Sequence, residues 1–286
     1  MIFSKFFNLS VNPFSETPDT KFYFQSDSHN KAQIKLLEAL SQGKGILKLT
    51  GEVGTGKTTI ARMVIRNYQK EANFALCLQP QLEGSELLFY LAEELGIIDN
   101  PKYRQASLLA RFSNFLMDSA REKKRNIILI DEAQVMSLQA METIRLLSNL
   151  ECETQKLLQI VLIGQPELDE KLNSYEYRQI NQRISGRIVL LPLDESECGA
   201  YIRHRLDVAS GGNHIGFSPR SIKLIYKNSA GIPRLVNLYG QAILGYAEKL
   251  KKRYVEADLV KMVMRGEYLI KCAHYDSANL SANSGK

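Results

Sequence analysis

Gly51-Glu52-Val53-Gly54-Thr55-Gly56-Lys57-Thr58-Thr59 is the stretch on which the reading of this chain turns. It satisfies the pattern G-x-x-x-x-G-K-[ST], with Gly51 and Gly56 at the fixed ends and Lys57-Thr58 behind them. The apolar run from Ile46 to Leu49 leads in as a strand. Ile60, Met63, Val64 and Tyr68 lead out at helical spacing. A glycine-rich turn with a chance lysine would lack this order of strand, loop and helix.

The spelling has a chemical reason. A triphosphate needs many donors close to its oxygens, and side chains would crowd one another there. Glycines let the backbone bend sharply and turn successive N–H groups toward phosphates. The following helix aims its N-terminal dipole at the same oxygens. Lys57 adds a mobile charge near the β- and γ-phosphates, and Thr58 offers a hydroxyl to Mg²⁺. The sequence therefore points to ATP and Mg²⁺ as cofactors, with Gly51 through Thr59 as the binding loop.

Working outward, the 286 residues are enough for two domains. With 44% hydrophobic and 24% charged residues, the chain has the composition of an ordinary globular protein. No apolar run approaches the roughly 18 residues of a membrane span. The start, Met1 to Phe7, lacks the charged and apolar regions of a signal peptide. A cytoplasmic location, peripheral to the inner membrane through partners, is expected. Cys77, Cys152, Cys198 and Cys272 are scattered, which reads as reduced structural thiols. The net charge of +6 permits nucleic acid contact without demanding it. The basic runs 121–125 and 249–253 read first as solvated helix ends.

Five apolar strands are predicted at Ile46–Leu49, Phe74–Gln79, Ile127–Ile130, Leu158–Ile163 and Ile188–Leu191, with helices between them. That alternation argues for an α/β fold with a parallel sheet covered on both faces. Ser28 is expected to cap a helix from His29 to about Ser41. After Asp194 every segment reads as helical, with starts at Asp194, Ser218-Pro219, Pro233 and near Glu256. The expected domains are 1–193, a nucleotide-binding core that includes the aromatic N-terminal segment, and 194–270, a helical lid. Residues 271–286 read as a flexible tail.

The third strand ends in Asp131-Glu132, which places two carboxylates at the carboxyl end of a buried strand, where such sheets bind ligands. Asp131 is the expected Mg²⁺ holder, and Glu132 the general base toward water.

These residues resemble the AAA+ ATPases. The longer string is similar to one branch of them: Asn12-Pro13-Phe14, Thr17-Pro18-Asp19, Asp131-Glu132-Ala133-Gln134, Arg145 to Glu151, Gly164-Gln165-Pro166-Glu167-Leu168 and Gly231-Ile232-Pro233-Arg234. That branch holds the general secretion pathway protein A ATPases and the related mannose-sensitive haemagglutinin (MSHA) pilus biogenesis protein M. The resemblance covers roughly residues 1–265. Secretion members typically continue into a membrane span and a peptidoglycan-binding region, so this chain looks more like the stand-alone pilus ATPase.

The resemblance implies a phosphate-loop strand central in the sheet, and a lid whose Arg234 reaches the γ-phosphate. It places Gln165 as the polar sensor after the fourth strand. Gln79 is a weaker expectation, a hydrogen-bond partner for Glu132 when nucleotide is absent. It also implies an arginine finger supplied by a neighbouring subunit of a ring. Arg178, Arg183 and Arg187 are the candidates, with Arg183 preferred and Arg187 next. An ATPase that drives pilus or secretion assembly is the first functional expectation. A DNA-associated ATPase of the transposition-regulator type is the alternative, and a nucleotide-dependent scaffold with little turnover is a third.

Overall fold

A computed structural model describes residues 4–15, 20–98, 105–152, 156–211 and 215–266. Thr17-Pro18-Asp19, Asp99-Asn100-Pro101, Cys272 and the tail 271–286 lie outside the described residues. The chain divides into two compact units. One joins Met1–Ser26 to Pro192–Lys286, and the other is Asp27–Leu191.

The first unit begins with a short helix, α1 (Ser4–Phe7), and a 3-10 turn at Thr20–Phe22. The second unit follows in the order α2 (Asp27–Ser41), β1 (Ile46–Gly51), α3 (Lys57–Tyr68), β2 (Ala72–Cys77), α4 (Gly84–Glu94), α5 (Gln105–Arg121), β3 (Arg125–Ile130), α6 (Leu138–Leu147), β4 (Gln159–Gly164), α7 (Glu167–Asn173), α8 (Arg178–Asn181) and β5 (Ile184–Leu190). The first unit then resumes with α9 (Glu195–Ser210), β6 (Gly216–Phe217), α10 (Pro219–Ser229), α11 (Pro233–Lys249), β7 (Tyr254–Val255) and α12 (Ala257–Arg265).

The five strands of the α/β unit are all parallel, in the order β2-β3-β4-β1-β5. The phosphate-loop strand is flanked by β4 and β5, so it lies one place from the edge and β4 holds the middle. Alternation sorts the strand residues between two faces. Ile128, Ile130, Ile160 and Leu162 pack with α4, α5 and α6. Ile127, Leu129, Val161, Leu47 and Leu49 pack with α2 and α3. Such continuous apolar runs are what a sheet covered on both faces requires.

Strands β2, β3 and β4 start within two residues of expectation, and two further starts differ in ways that bear on the packing. Helix α2 begins at Asp27, and the Ser28 hydroxyl accepts the Leu191 N–H instead of capping the helix. Strand β5 begins at Ile184, four residues early.

In the helical unit the caps hold the helix starts. Asp194 forms a capping box with Glu197, and Ser218 accepts from the Ser221 N–H with Pro219 just inside. The prediction of helix alone is corrected by a short parallel pair, Gly216–Phe217 with Tyr254–Val255. A second correction concerns the N-terminal segment, which the sequence reading places with the nucleotide-binding core. Phe7, Phe14 and Phe22 are instead buried with Tyr201, Leu206, Val236 and Ile243 of the helical unit. Arg205 fixes the segment by donating to the carbonyls of Pro13 and Ser15.

Candidate nucleotide site

The phosphate loop connects the end of β1 to α3. Gly54 and Gly56 hold φ values of 79° and 103°, in the region that favours glycine. Gly56 is the N-cap of α3, so the helix dipole opens at Lys57. Gly51 has a second duty. A Cβ there would sit 2.6 Å from the Leu190 carbonyl oxygen on β5, so strand pairing itself demands glycine. Thr55 is fully buried and its hydroxyl donates to the Glu52 carbonyl at 2.8 Å. Glu52 and Val53 are exposed at the loop tip, while Thr58 and Thr59 are half-buried on the first turn of α3.

Lys57 is buried, and its Nζ donates to the carbonyls of Gly51 at 2.8 Å and Glu52 at 3.0 Å. Burial lowers its pKa, while Glu132, Asp131, Glu52 and Glu167 act in the opposite direction. The ammonium is thus buried and satisfied by two backbone carbonyls, with nearby carboxylates offsetting part of the cost of its burial.

Asp131 is buried at the end of β3. One carboxylate oxygen accepts the Thr58 hydroxyl and the other accepts the Glu132 N–H at 2.9 Å. The loop threonine and the strand aspartate, 73 residues apart, therefore meet. Glu132 adopts φ 51° and ψ 36°, a left-handed conformation unusual for a residue with a side chain. That turn carries its carboxylate off the strand axis. Glu132 Oε2 accepts from Gln134 Nε2 at 2.6 Å and from Gln165 Nε2 at 3.0 Å. Gln165 is thus brought to the expected base. Gln79 is exposed and makes no hydrogen bond to Glu132 among the described residues, so that expectation is corrected. Gln134 and Gln165 hold the place assigned to it.

The three candidate finger arginines are all exposed. Arg178 stacks on the Tyr175 ring at 3.7 Å, and Arg187 donates to Asn181 Oδ1 at 2.6 Å. Arg183 lies within electrostatic reach of Glu142 and Glu151. Arg234 is an exposed residue in the first turn of α11, in the helical unit.

Sequence reasoning missed two residues. His29, buried on α2, places Nε2 2.9 Å from the Thr55 carbonyl oxygen. Lys171 on α7 donates to the Gln134 carbonyl at 2.8 Å and to that of Met136. No local pattern marks either one, because each acts on a loop distant in sequence.

No helix among the described residues is long and apolar enough to cross a membrane. The model of the AAA domain family matches residues 40–172. General secretion pathway protein A of Aeromonas hydrophila is 40% identical over 240 residues, 83% of this chain and 43% of that protein. The chain thus spans less than half the length of this relative. Among solved structures, the ORC2 protein of Aeropyrum pernix in its ADP form matches with a TM-score of 0.63 at 16% identity, over 90% of this chain and 72% of that one. Drosophila ORC bound to DNA matches with a TM-score of 0.66 at 15% identity, over 92% of this chain and 65% of that one. At such identities the likeness is one of fold. The loop, the paired carboxylates and the relative agree: the chain belongs to the AAA+ ATPases related to general secretion pathway protein A.

Proposed function

We propose that the chain is a Mg²⁺-dependent ATPase that assembles into a homo-oligomeric ring. Its turnover would power or regulate assembly of a type IV-like pilus of the MSHA kind, or of a secretion apparatus, from the cytoplasmic side of the inner membrane. The contact between the Thr58 hydroxyl and the Asp131 carboxylate carries this reading. A hydroxyl and a carboxylate at the mouth of a phosphate loop are hard oxygen donors of the kind Mg²⁺ takes beside phosphates and water. When bound, Mg²⁺ neutralises charge building on the phosphate oxygens.

The chain's own residues would do the rest. Lys57 leaves the Gly51 and Glu52 carbonyls for the β- and γ-phosphates. Glu132 orients the attacking water and accepts its proton. Gln165 positions the same water from β4, and Arg234 brings the lid to the γ-phosphate. Arg183 would serve a neighbour. It precedes Ile184, which pairs with Ile46 at the start of β1, whereas the phosphate loop leaves at Gly51. The two lie at opposite ends of β1, about 17 Å apart along the strand. A finger at Arg183 therefore completes a site in the next subunit.

The secretion half of the proposal rests on the name of the Aeromonas relative, and the pilus half on the motif resemblance. Steady-state hydrolysis against protein concentration, with light scattering and with Mg²⁺ or EDTA present, tests the chemistry. Specific activity should rise as oligomers form. Glu132→Gln should bind ATP without turnover, and Arg183→Ala should lose turnover but not binding. Activity independent of concentration, with an active Arg183→Ala protein, would sink the ring. A Glu132→Gln allele that still supports piliation and secretion in cells would sink the driving role.

A further inference from the structure

We propose that a basic pocket at the amino ends of β3 and β4 is a binding site for a small oligophosphate anion, separate from the phosphate loop. The pocket has a volume of about 650 Å³ and is lined by the ends of α2 and α5 and the starts of the two strands. That is the size of a small-molecule site. Lys123, Lys124, Arg125 and Lys156 bring four positive charges to the lining, and no Asp or Glu lines it among the described residues. The strands are parallel and the phosphate loop leaves β1 at its carboxyl end, so the pocket sits at the other end of the sheet.

Two helices end here, and a helix carboxyl end normally presents carbonyl oxygens that repel anions. Those carbonyls are already taken. Arg125 donates to the Leu40 and Ser41 carbonyls at the end of α2. Gln159 Nε2 donates to the Leu40 carbonyl at 2.9 Å and to that of Lys44 at 3.1 Å. At the end of α5 the N–H groups of Lys123 and Lys124 donate to the carbonyls of Ala120 and Ser119. An incoming anion therefore meets cations rather than orphan acceptors.

Lys123 is the residue that ending a helix does not explain. It holds φ 59° just past α5, the left-handed position at which helices usually place glycine. A lysine there adopts a conformation unfavourable for any residue with a Cβ. It is exposed and has no ion-pair partner among the described residues. Lys124 and Lys156 pair instead with Glu122 and Glu151, whose carboxylates are exposed. Exposed pairs are weak, so a multiply charged ligand displaces them. No aromatic ring lines the pocket among the described residues, so a nucleobase would find nothing to stack on. The lining recognises phosphate oxygens by charge, and the ligand class is the oligophosphate group rather than a particular nucleoside.

The test titrates sodium tripolyphosphate by calorimetry into the full chain saturated with a fluorescent, non-hydrolysable ATP analogue, so that the phosphate loop is occupied and any release of the analogue is seen. Wild type should bind tripolyphosphate without releasing the analogue, and more weakly as salt is raised. Lys123→Gly should weaken that binding about tenfold, the worth of one charge-assisted hydrogen bond. Glycine suits φ 59°, so this variant should melt no lower than wild type and bind the analogue equally. Lys251→Gly is the matched control, because Lys251 has φ 54° and lies exposed in the helical unit. It removes the same charge and should leave tripolyphosphate binding unchanged. Absence of binding, or undiminished binding in Lys123→Gly, overturns the site. Binding that proceeds only with release of the analogue overturns it as well, since the anion then goes to the phosphate loop. Equal weakening by the two variants overturns it too, since the attraction is then one of net charge. An oligonucleotide that displaces tripolyphosphate at lower concentration, and loses affinity in Lys123→Gly, overturns the ligand class and assigns the pocket to a nucleic acid backbone.

Discussion

The imidazole of His29 donates through Nε2 to the carbonyl oxygen of Thr55 at 2.9 Å, and that carbonyl belongs to the phosphate loop. A carbonyl can only accept, so Nε2 carries the proton. The same ring lies 2.8 Å from where a Cβ on Gly56 would stand. His29 thus supports the loop from beneath while Gly56 makes space for it.

Removing that support should cost affinity before it costs chemistry. His29→Ala leaves a buried carbonyl unpaired and lets the loop sample conformations that do not cradle phosphate. ATP binding should weaken about tenfold, or about 1.4 kcal/mol, while kcat at saturating ATP changes little. Fluorescent-analogue titration beside a saturation curve reads the split. A fall in kcat with unchanged affinity would show that the histidine acts on the reacting atoms instead.

How much of this was legible follows from what kind of signal each residue carries. The phosphate loop and Asp131-Glu132 announce themselves because phosphate chemistry constrains consecutive residues. The five strands show as apolar runs because both faces of the sheet are buried. The apolar pattern of β5 begins only at Ile188, since Ser185, Gly186 and Arg187 look like a turn. An edge strand needs fewer apolar residues, and a Cβ on Gly186 would meet Leu47 Cδ2 at 2.6 Å. The N-terminal rings declare burial but not which unit buries them. His29 and Lys171 act on backbone carbonyls of loops far away in sequence, and no spacing rule encodes such contacts.

Lys48 makes the stability of the α/β unit depend on pH. It lies buried on β1 and pairs with Asp169 on α7. Burial first, and Arg187 second, lower its pKa to about 8. An unfolded lysine titrates near 10.4. Between those values the unfolded chain binds the extra proton, so unfolding free energy rises with pH from about 8 to about 10.4. Below pH 8 both states are charged and the contribution is absent. Denaturant melts of wild type and Lys48→Met across pH 7 to 10 should converge as pH rises, by an amount on the order of 2 kcal/mol. Parallel pH curves for the two proteins would refute the assignment.

Arg205 holds the N-terminal segment in the helical unit, and lysine cannot replace it. The guanidinium donates to the Pro13 and Ser15 carbonyls and to the Tyr201 hydroxyl at 2.9 Å, and it lies over the Phe22 ring at 4.6 Å. Tyr201 passes the network on to Asn237 Oδ1 at 2.9 Å. A lysine keeps the charge but loses the planar fork and the stacking surface. Arg205→Lys should destabilise the unit by about 2 kcal/mol. Limited proteolysis should then cut within the first 26 residues earlier than in wild type. Unchanged melting and protection would mean that Phe7 and Phe14 anchor the segment unaided.

In the motif Gly231-Ile232-Pro233-Arg234 a structural demand can be separated from the chemical role proposed for Arg234. Gly231 has φ 72°, and a Cβ there would fall 1.9 Å from the Leu193 carbonyl oxygen, while the Gly231 carbonyl accepts the Leu193 N–H at 2.9 Å. Pro233 then opens α11 with its φ already suited to a helix. The glycine and proline thus set where α11 begins, and Arg234, next in line, inherits its position from them. Gly231→Ala must push the backbone apart at Leu193, so it should lower the stability of the helical unit by about 3 kcal/mol or more and reduce hydrolysis through misplacement of α11. Arg234→Ala removes an exposed side chain. It should leave melting within about 0.5 kcal/mol of wild type while abolishing most ATP turnover. If Arg234→Ala melts as wild type and hydrolyses ATP as wild type, the arginine is a surface residue and the motif serves the fold alone.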